Sequence, residues 1–296
     1  MELRELRYFL AVAREQSITR AAEHLYIAQP SLSKQMQNLE KEIGRPLFVR
    51  GSRRITLTET GMLLKKRAEE MLELYEKTED ELTAPPGAVR GEVHIGSGES
   101  YAVQTVARAA RAVQRDYPDI RFNFFSGDKD FVIDKLDKGL IDFGILVDVS
   151  DLSKYNSLRL PISDTWGALM RRDCPLARKE AVTANDLRQV PLLYPQQAML
   201  KDSQLRKWFG GDIESLDIRA RCNLVYNASV LAREGVGCAV TLARLVNTEG
   251  DGELCFRPLS PRLETFLDIA WKKYSVFPKP AEIFLQYLQK EIAAQT

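Results

Sequence analysis

Apolar residues at helical spacing dominate the first 43 positions of this 296-residue chain and constrain its fold more than any other feature. Residues 3–15 carry an apolar side chain every three or four positions, which predicts an amphipathic helix. Ser17 can cap a second helix that includes residues 20–25, and Pro30 fits the first turn of a third. Three short helices with a tight link between the second and the third predict a helix-turn-helix.

The third predicted helix has one apolar stripe and one polar face. The stripe repeats at helical spacing and consists of Leu32, Met36, Leu39 and Ile43. The amide, hydroxyl and ammonium groups of the opposite face match the base edges and phosphates of a DNA major groove, although polar helix faces are often merely solvated. The side chains predicted to contact DNA are Gln29, Pro30, Ser31, Ser33, Lys34 and Asn38.

An arginine-tipped hairpin follows this helix. Residues 48–49 and 55–57 are predicted to form two short strands around a Gly-Ser turn, and the turn carries Arg50, Arg53 and Arg54. Arginine is a common contact in a narrow minor groove. The helices and the hairpin together predict an all-α winged helix-turn-helix DNA-binding domain over residues 1–58.

The charge of the chain is distributed unevenly. The formal net charge is +1, but residues 1–57 carry +4, residues 58–90 carry −3 and the remainder carries 0. This asymmetry is typical of a nucleic-acid-binding head on a neutral body, although chance variation along a charged surface gives the same figures.

Residues 6–50 closely resemble the DNA-binding domain of LysR-type transcriptional regulators. Their sequence is LRYFLAVAREQSITRAAEHLYIAQPSLSKQMQNLEKEIGRPLFVR. The resemblance extends over residues 3–65 and departs at Ala28, where the family often has a serine or threonine hydroxyl. It implies a sequence-specific regulator that binds double-stranded DNA. It also implies groove contacts from Gln29, Pro30, Ser33 and Lys34, and a wing contact from Arg53.

Residues 59–87 are predicted to form a linker helix and a hinge. The helix carries an apolar seam at heptad spacing, formed by Leu64, Ala68, Met71, Tyr75 and Leu82. Such a seam needs a partner, either a second copy of the chain or another part of the same chain. A dimer is favoured because paired helix-turn-helices read two half-sites, and the helix resembles the dimerisation linker of LysR-type proteins. Residues 84–87, with two prolines and a glycine, form the hinge. Tyr26 and Tyr75 are expected to pack rather than to contact bases.

Alternating strand and helix patterns begin near residue 91 and predict an α/β body. The body, residues 88–296, resembles the LysR-type effector domain, a periplasmic-binding-protein-like pair of lobes. The matching segments are 117–120, 142–146, 173–177 and 234–237. By this resemblance subdomain I covers about 91–147 and 268–296, and subdomain II covers about 163–265.

Polar residues follow several predicted strands, where ligands of such folds bind against helix N-termini. The predicted effector contacts are Ser97, Glu99, Ser100, Ser126, Asp128, Gln196, Gln197, Asn223, Tyr226 and Asn227. Opposing helix N-termini favour an anionic or carboxylate-bearing small molecule. Glu99 argues partly against this, since it can neutralise the positive potential or pair with an effector amine. Local helix capping is the alternative role for each of these residues.

Other functions have little support in the sequence. The chain has two histidines and no Cys-x-x-Cys pair, so neither a metal site nor a cofactor is expected, and no catalytic constellation indicates an enzyme. Cys222 and Cys238 suggest a thiol redox sensor, but structural cysteine is the favoured interpretation. No long apolar run indicates a membrane partner, so we expect a cytoplasmic protein.

The sequence therefore predicts an effector-responsive, DNA-binding transcriptional regulator that forms a dimer or tetramer. Effector in the cleft between the lobes would shift the oligomer geometry, and with it half-site spacing and DNA bending. The alternative is a small-molecule-binding or enzymatic α/β protein with a nonfunctional DNA-binding head.

Overall fold

The computed structural model describes residues 1–51, 54–83, 89–147, 152–199, 203–250, 252–274 and 276–295. For residues 50, 80 and 81 it describes the backbone alone. The chain divides into two compact units, Met1–Ala84 and Pro85–Thr296. The predicted Arg53 and the hinge over residues 84–87 lie outside the described residues.

The first unit contains helices and one small hairpin. Its elements are α1 (Leu3–Glu15), α2 (Ile18–His24), α3 (Gln29–Ile43), β1 (Phe48–Arg50), β2 (Ile55–Leu57) and α4 (Glu59–Thr83). The three predicted helices and both strands of the hairpin are thus confirmed. Ser17 caps α2 by accepting a hydrogen bond from the backbone N–H of Arg20, and Pro30 lies in the first turn of α3.

One core holds the helix-turn-helix and the hairpin together. Leu32, Met36 and Leu39 of α3 are fully buried against Phe9 and Val12 of α1. Burying side chains of this size stabilises the unit by about 1.5–3 kcal/mol each relative to exposure. The apolar stripe of α3 therefore fixes which face of the helix points to solvent.

The second unit has two lobes, and its first lobe is built on a five-stranded sheet. The elements of this lobe are β3 (Gly91–Ser97), α5 (Val103–Asp116), β4 (Ile120–Ser126), α6 (Lys129–Lys138), β5 (Phe143–Val147), β6 (Tyr155–Arg159), β13 (Leu267–Lys272) and α10 (Lys279–Ala293). The strand order is β4-β3-β5-β13-β6, and β3 is parallel to both of its neighbours. β6 belongs to this sheet although neither predicted subdomain range includes it.

The second lobe is built on a six-stranded sheet. Its elements are β7 (Asp164–Arg171), α7 (Ala184–Leu187), β8 (Leu192–Pro195), α8 (Gln204–Trp208), β9 (Ile218–Cys222), α9 (Val225–Arg233), β10 (Cys238–Leu242), β11 (Leu254–Pro258) and β12 (Glu264–Thr265). The strand order is β11-β7-β10-β8-β9, and β12 pairs with β7. Because each lobe has its own buried apolar cluster, the predicted fold class of a helix-turn-helix unit and a two-lobed α/β unit is confirmed.

Candidate nucleic-acid interface and effector cleft

The polar face of α3 is turned to solvent. The side chains of Gln29, Pro30, Ser31, Lys34 and Asn38 are exposed, and that of Ser33 is half-buried. These residues lie opposite the buried stripe, so the helix presents one continuous polar surface. Ala28 at the N-cap position makes no side-chain cap, and the first N–H groups of α3 therefore have no such internal acceptor.

The hairpin is fixed to α3 through one carboxylate. Glu40 of α3 accepts hydrogen bonds at Oε1 from the backbone N–H groups of Leu47 and Phe48, at 2.8 and 3.2 Å. Arg54 is exposed at the end of the turn, and the side chain of Arg50 is among those not described. Glu40 thus sets the position of the hairpin relative to the polar helix face.

Tyr26 lies in the turn between α2 and α3, and the expectation that it packs is wrong. Its side chain is 96% exposed. Its backbone φ is +55°, in the left-handed region that non-glycine residues rarely adopt. The turn therefore holds an aromatic hydroxyl beside the start of α3, which apolar spacing alone could not reveal.

The predicted seam of α4 is divided between two environments. Ala68 is completely buried and packs with Leu6 of α1, and Leu64 lies against the same cluster. The expectation that Ala68 faces a partner chain is therefore wrong, because its own chain covers it. Met71, Tyr75 and Leu82 are exposed, the last to 80%. Leu74, which was not among the predicted seam residues, is also exposed in this part of α4.

The predicted effector residues of the first lobe lie at the carboxyl ends of β3 and β4. Ser97 and Ser126 are neighbours across these parallel strands, and the N–H of Gly127 donates to the carbonyl of Ser97 at 3.0 Å. Asp128 caps α6 by accepting from the N–H of Phe131 at 2.9 Å, which is the local role anticipated as its alternative. Ser97 itself is buried and donates to the carbonyl of Gly98.

The predicted residues of the second lobe follow β8 and β9, whose ends lie side by side because Pro195 pairs with Cys222. Gln196, Gln197, Asn223, Tyr226 and Asn227 are all exposed. Tyr226 and Asn227 lie in the first turn of α9. This edge therefore offers amide and phenol groups next to a helix N-terminus.

Glu99 joins the two edges. Its Oε2 accepts a hydrogen bond from the backbone N–H of Val225, the first residue of α9. Leu224, at the N-cap position of α9, supplies no side-chain cap. A helix N-terminus has unpaired N–H groups and favours negative charge. A carboxylate from the first lobe thus occupies the position expected for an anionic effector.

Ser100 makes the next contact between the lobes. Its hydroxyl donates to Oδ2 of Asp164 at 2.5 Å and accepts from the N–H of Ala102 at 2.9 Å. Asp164 is fully buried, and among the described residues its Oδ1 has no hydrogen-bond partner. Burial raises the pKa of Asp164, while the Ser100 hydroxyl and the Arg244 charge oppose that rise.

Tyr101 makes the third contact. The guanidinium of Arg244 lies 4.0 Å from the centre of the Tyr101 ring, a cation–π geometry. Arg244 also donates to the carbonyl of Ser163 at 3.3 Å. Neither Asp164 nor Arg244 was predicted. Arg244 comes two residues after β10, so the rule that ligands gather at carboxyl strand ends could have indicated it.

A cavity lies in the second lobe. Its volume is about 510 Å³, and it is lined by Thr165, Ala181, Phe256, Pro258, Leu259, Ser260 and Arg262. None of the predicted effector residues lines it.

Two family models match the chain. The model of the LysR substrate binding domain matches residues 86–293, and that of the bacterial regulatory helix-turn-helix protein, lysR family, matches residues 3–62. The Hca operon transcriptional activator HcaR of Escherichia coli (strain K12) is 28% identical over 303 residues, covering 100% of both chains.

Solved structures resemble the chain over nearly its whole length. CbnR, a LysR family transcriptional regulator, has a TM-score of 0.77 at 20% identity over 99% of each chain. CbnR in complex with its target DNA has the same TM-score at 21% identity, over 98% of this chain and 100% of that one. Full-length BenM has a TM-score of 0.53 at 26% identity, over 99% of this chain and 97% of its own.

Two further features concern the described residues only. None of their helices has the length and apolar character that crossing a membrane requires. Their His, Cys, Asp and Glu side chains nowhere form a group of three or more suited to a metal ion.

Proposed function

This chain belongs to the LysR family of bacterial helix-turn-helix regulators, and from this premise we propose that α3 reads a DNA major groove under the control of a carboxylate-bearing effector. The observation that carries the proposal is the exposed polar face of α3 beside a hairpin fixed by Glu40. Gln29 and Asn38 supply amide pairs for adenine edges, and Lys34 supplies a charge for guanine or phosphate. Ser31, Ser33, Pro30 and the hairpin arginines fix the register on the backbone.

Tyr26 extends this surface. Its hydroxyl is exposed in the turn that precedes α3, where phosphates of the groove edge would pass. We assign the Tyr26 hydroxyl a contact with the DNA phosphate backbone, which positions the helix without reading a base.

Selection of bound duplexes from a random-sequence DNA pool by the full-length protein tests the DNA assignment. The proposal predicts enrichment of a motif with two related half-sites about one or two helical turns apart, because paired helices read symmetric sites. A pool that remains unenriched after repeated rounds would contradict it.

The proposal includes a dimer through the exposed part of the α4 seam. Met71, Leu74, Tyr75 and Leu82 are exposed along this helix, and an apolar helix face of this kind is stabilised when a second helix covers it. The dimer provides the second helix-turn-helix that two half-sites require.

In the cleft, the effector carboxylate would replace that of Glu99 at the start of α9. The Val225 N–H already donates a hydrogen bond to a carboxylate, and Tyr226 and Asn227 of the same turn are exposed beside it. The remaining predicted contacts, Ser126, Gln196, Gln197 and Asn223, would bind the rest of the molecule. Displacing Glu99 breaks one contact between the lobes. Effector binding would therefore change the populations of the open and closed arrangements of the two lobes.

Titration of full-length wild type, Glu99→Ala and Glu180→Ala with a panel of mono- and dicarboxylates tests this site. Glu180 is an exposed glutamate of the second lobe and serves as a charge-matched control. A hydrogen bond to a charged group contributes about 1.5–3 kcal/mol, so loss of the internal competitor should tighten carboxylate binding about tenfold or more. Binding of amines to wild type, abolished in Glu99→Ala, would instead mean that Glu99 pairs with the effector.

We also propose that the protein acts in the cytoplasm, where bacterial DNA lies, and that it catalyses no reaction. Three polar groups at the cleft make contacts between the lobes: Glu99 binds Val225, and Ser100 binds Asp164. These groups would hold the lobes together rather than activate a substrate.

A further inference from the structure

Sulfur atoms gather on one side of the second-lobe sheet. Cys255 of β11 pairs with Met170 of β7. On the other side of β7, Ala239 pairs with Leu169, which places the preceding residue, Cys238, next to Met170 in the same row. Cys174 follows the turn after β7 and packs against the same buried cluster. Three of the four cysteines therefore meet in one small volume.

Two of these thiols are in contact and differ in accessibility. The sulfur of Cys174 lies 3.8 Å from that of Cys238. Cys174 is half-buried, whereas Cys238 is buried. We propose that Cys174 and Cys238 form a reversible dithiol–disulfide pair, with Cys174 as the thiol that meets a hydroperoxide oxidant.

The environment assigns a different role to each sulfur. Burial, together with the neighbouring Cys174, raises the pKa of Cys238 to about 12. Cys238 therefore stays protonated and reacts poorly with an oxidant in solution, since the thiolate is the nucleophile. Cys174, at the surface of the cluster, is the entry point.

The chemistry balances with hydrogen peroxide as the oxidant. The Cys174 sulfur attacks one peroxide oxygen, the O–O bond breaks, and the departing hydroxide leaves as water with the thiol proton. Cys174 is then a sulfenic acid. The Cys238 sulfur forms the S–S bond as the S–O bond of Cys174 breaks, and its proton joins the departing hydroxide as a second water. Two thiols lose two electrons, and one peroxide becomes two waters.

The bond would connect two segments that adjoin α9. Arg171, three residues before Cys174, donates to the carbonyl of Arg233 at the end of α9 at 3.2 Å. Cys238 opens the strand that follows α9. A disulfide would tie both segments together and restrict the helix whose other end binds Glu99. Only this last consequence for effector binding rests on the proposed function.

Peptide mapping of the oxidised full-length protein tests the pair directly. Reduced protein is exposed to hydrogen peroxide, remaining thiols are alkylated, and disulfide-linked peptides are identified by mass spectrometry before and after dithiothreitol. The expected result is one bond, Cys174–Cys238, with two of four thiols lost and both recovered on reduction. Bonds to Cys255 instead, or oxidation of Cys174 no faster than that of the half-buried Cys222, would overturn the proposal.

Variants separate the two roles. Cys222→Ser should form the bond as wild type does, and Cys174→Ser should leave Cys238 reduced. Because Cys238 is buried, Cys238→Ala is the conservative partner variant; in it Cys174 should stop at a sulfenic acid that dimedone traps. An unlinked Cys174 with no trapped sulfenic acid would count against the pair. DNA binding measured on the same samples is a separate readout, so failure of the thiol chemistry leaves the DNA assignment standing.

Discussion

At the scale of single residues, three consecutive side chains connect the lobes of the second unit. Glu99 caps α9, Ser100 binds Asp164, and the Tyr101 ring lies against Arg244. Each contact is of a different physical kind: a charged cap, a hydrogen bond to a buried acid and a cation–π pair. An effector that competes for one of them need not break the other two.

The pH dependence of stability should report on the buried acid. Burial raises the pKa of Asp164 above its ordinary 3.8, so the folded chain keeps a proton that the unfolded chain has already released. The contribution of Asp164 to the free energy of unfolding is fully present below pH 3.8 and is lost as the pH rises through the raised pKa. Asp164→Asn mimics the protonated acid and should melt increasingly higher, relative to wild type, as the pH rises above 3.8 through the raised pKa.

A second aspartate provides a control of opposite sign. Hydrogen bonding to Arg171 lowers the pKa of the exposed Asp173, so Asp173→Asn should lose stability relative to wild type as the pH rises from the lowered pKa to the ordinary 3.8. Melting temperatures of wild type and Asp164→Asn that differ by a constant amount as the pH rises above 3.8 would refute the role assigned to Asp164.

At the scale of elements, local pattern predicted α1, α2, α3 and the hairpin because each is encoded by its own spacing and caps. The Ser17 cap and the stripe through Leu32, Met36 and Leu39 needed no knowledge of distant residues. Contacts between distant residues were not accessible in this way. Glu99 and Val225 are 126 positions apart, and Leu224 gives no sequence sign that its helix is capped from another lobe. The rule that ligands bind at the carboxyl ends of strands indicated this edge of the second lobe, but it did not indicate that Glu99 binds there.

The same limit explains α4. A heptad pattern shows which residues share a face, but it does not show which part of that face the same chain covers. α1 covers Leu64, Ala68 and Leu72, while Met71, Leu74, Tyr75 and Leu82 remain exposed. We therefore propose that the dimer seam lies in the second half of the helix.

Leu82→Lys tests that placement. Leu82 is 80% exposed, so the substitution should leave the monomer stable, while burial of a leucine contributes about 1.5–3 kcal/mol at an interface. The dimer dissociation constant, measured by sedimentation equilibrium, should rise about tenfold or more. Met62→Lys is the control, since Met62 is also exposed but lies on the opposite side of α4 from Met71. Equal dissociation constants for Leu82→Lys and wild type would exclude this seam.

At the scale of the whole molecule, the near-neutral net charge is the sum of segments that differ in charge and in proposed function. The net +1 combines a basic first segment, an acidic segment and a neutral body. The basic segment contains α3 and the hairpin, and the acidic segment contains α4. Charge is thus concentrated where phosphates would be contacted and is balanced where a small molecule would bind.

The most direct test of the central proposal is the affinity of full-length Lys34→Ala for a selected duplex, measured across a range of salt concentrations. A lost base contact should weaken binding by about 1–3 kcal/mol, and a lost phosphate contact should reduce the salt slope by about one. Lys207→Ala removes the same charge from α8 in the second lobe, where Lys207 is exposed, and should leave both quantities unchanged. If Lys34→Ala bound with the affinity and salt slope of wild type, α3 would not be the DNA-reading element.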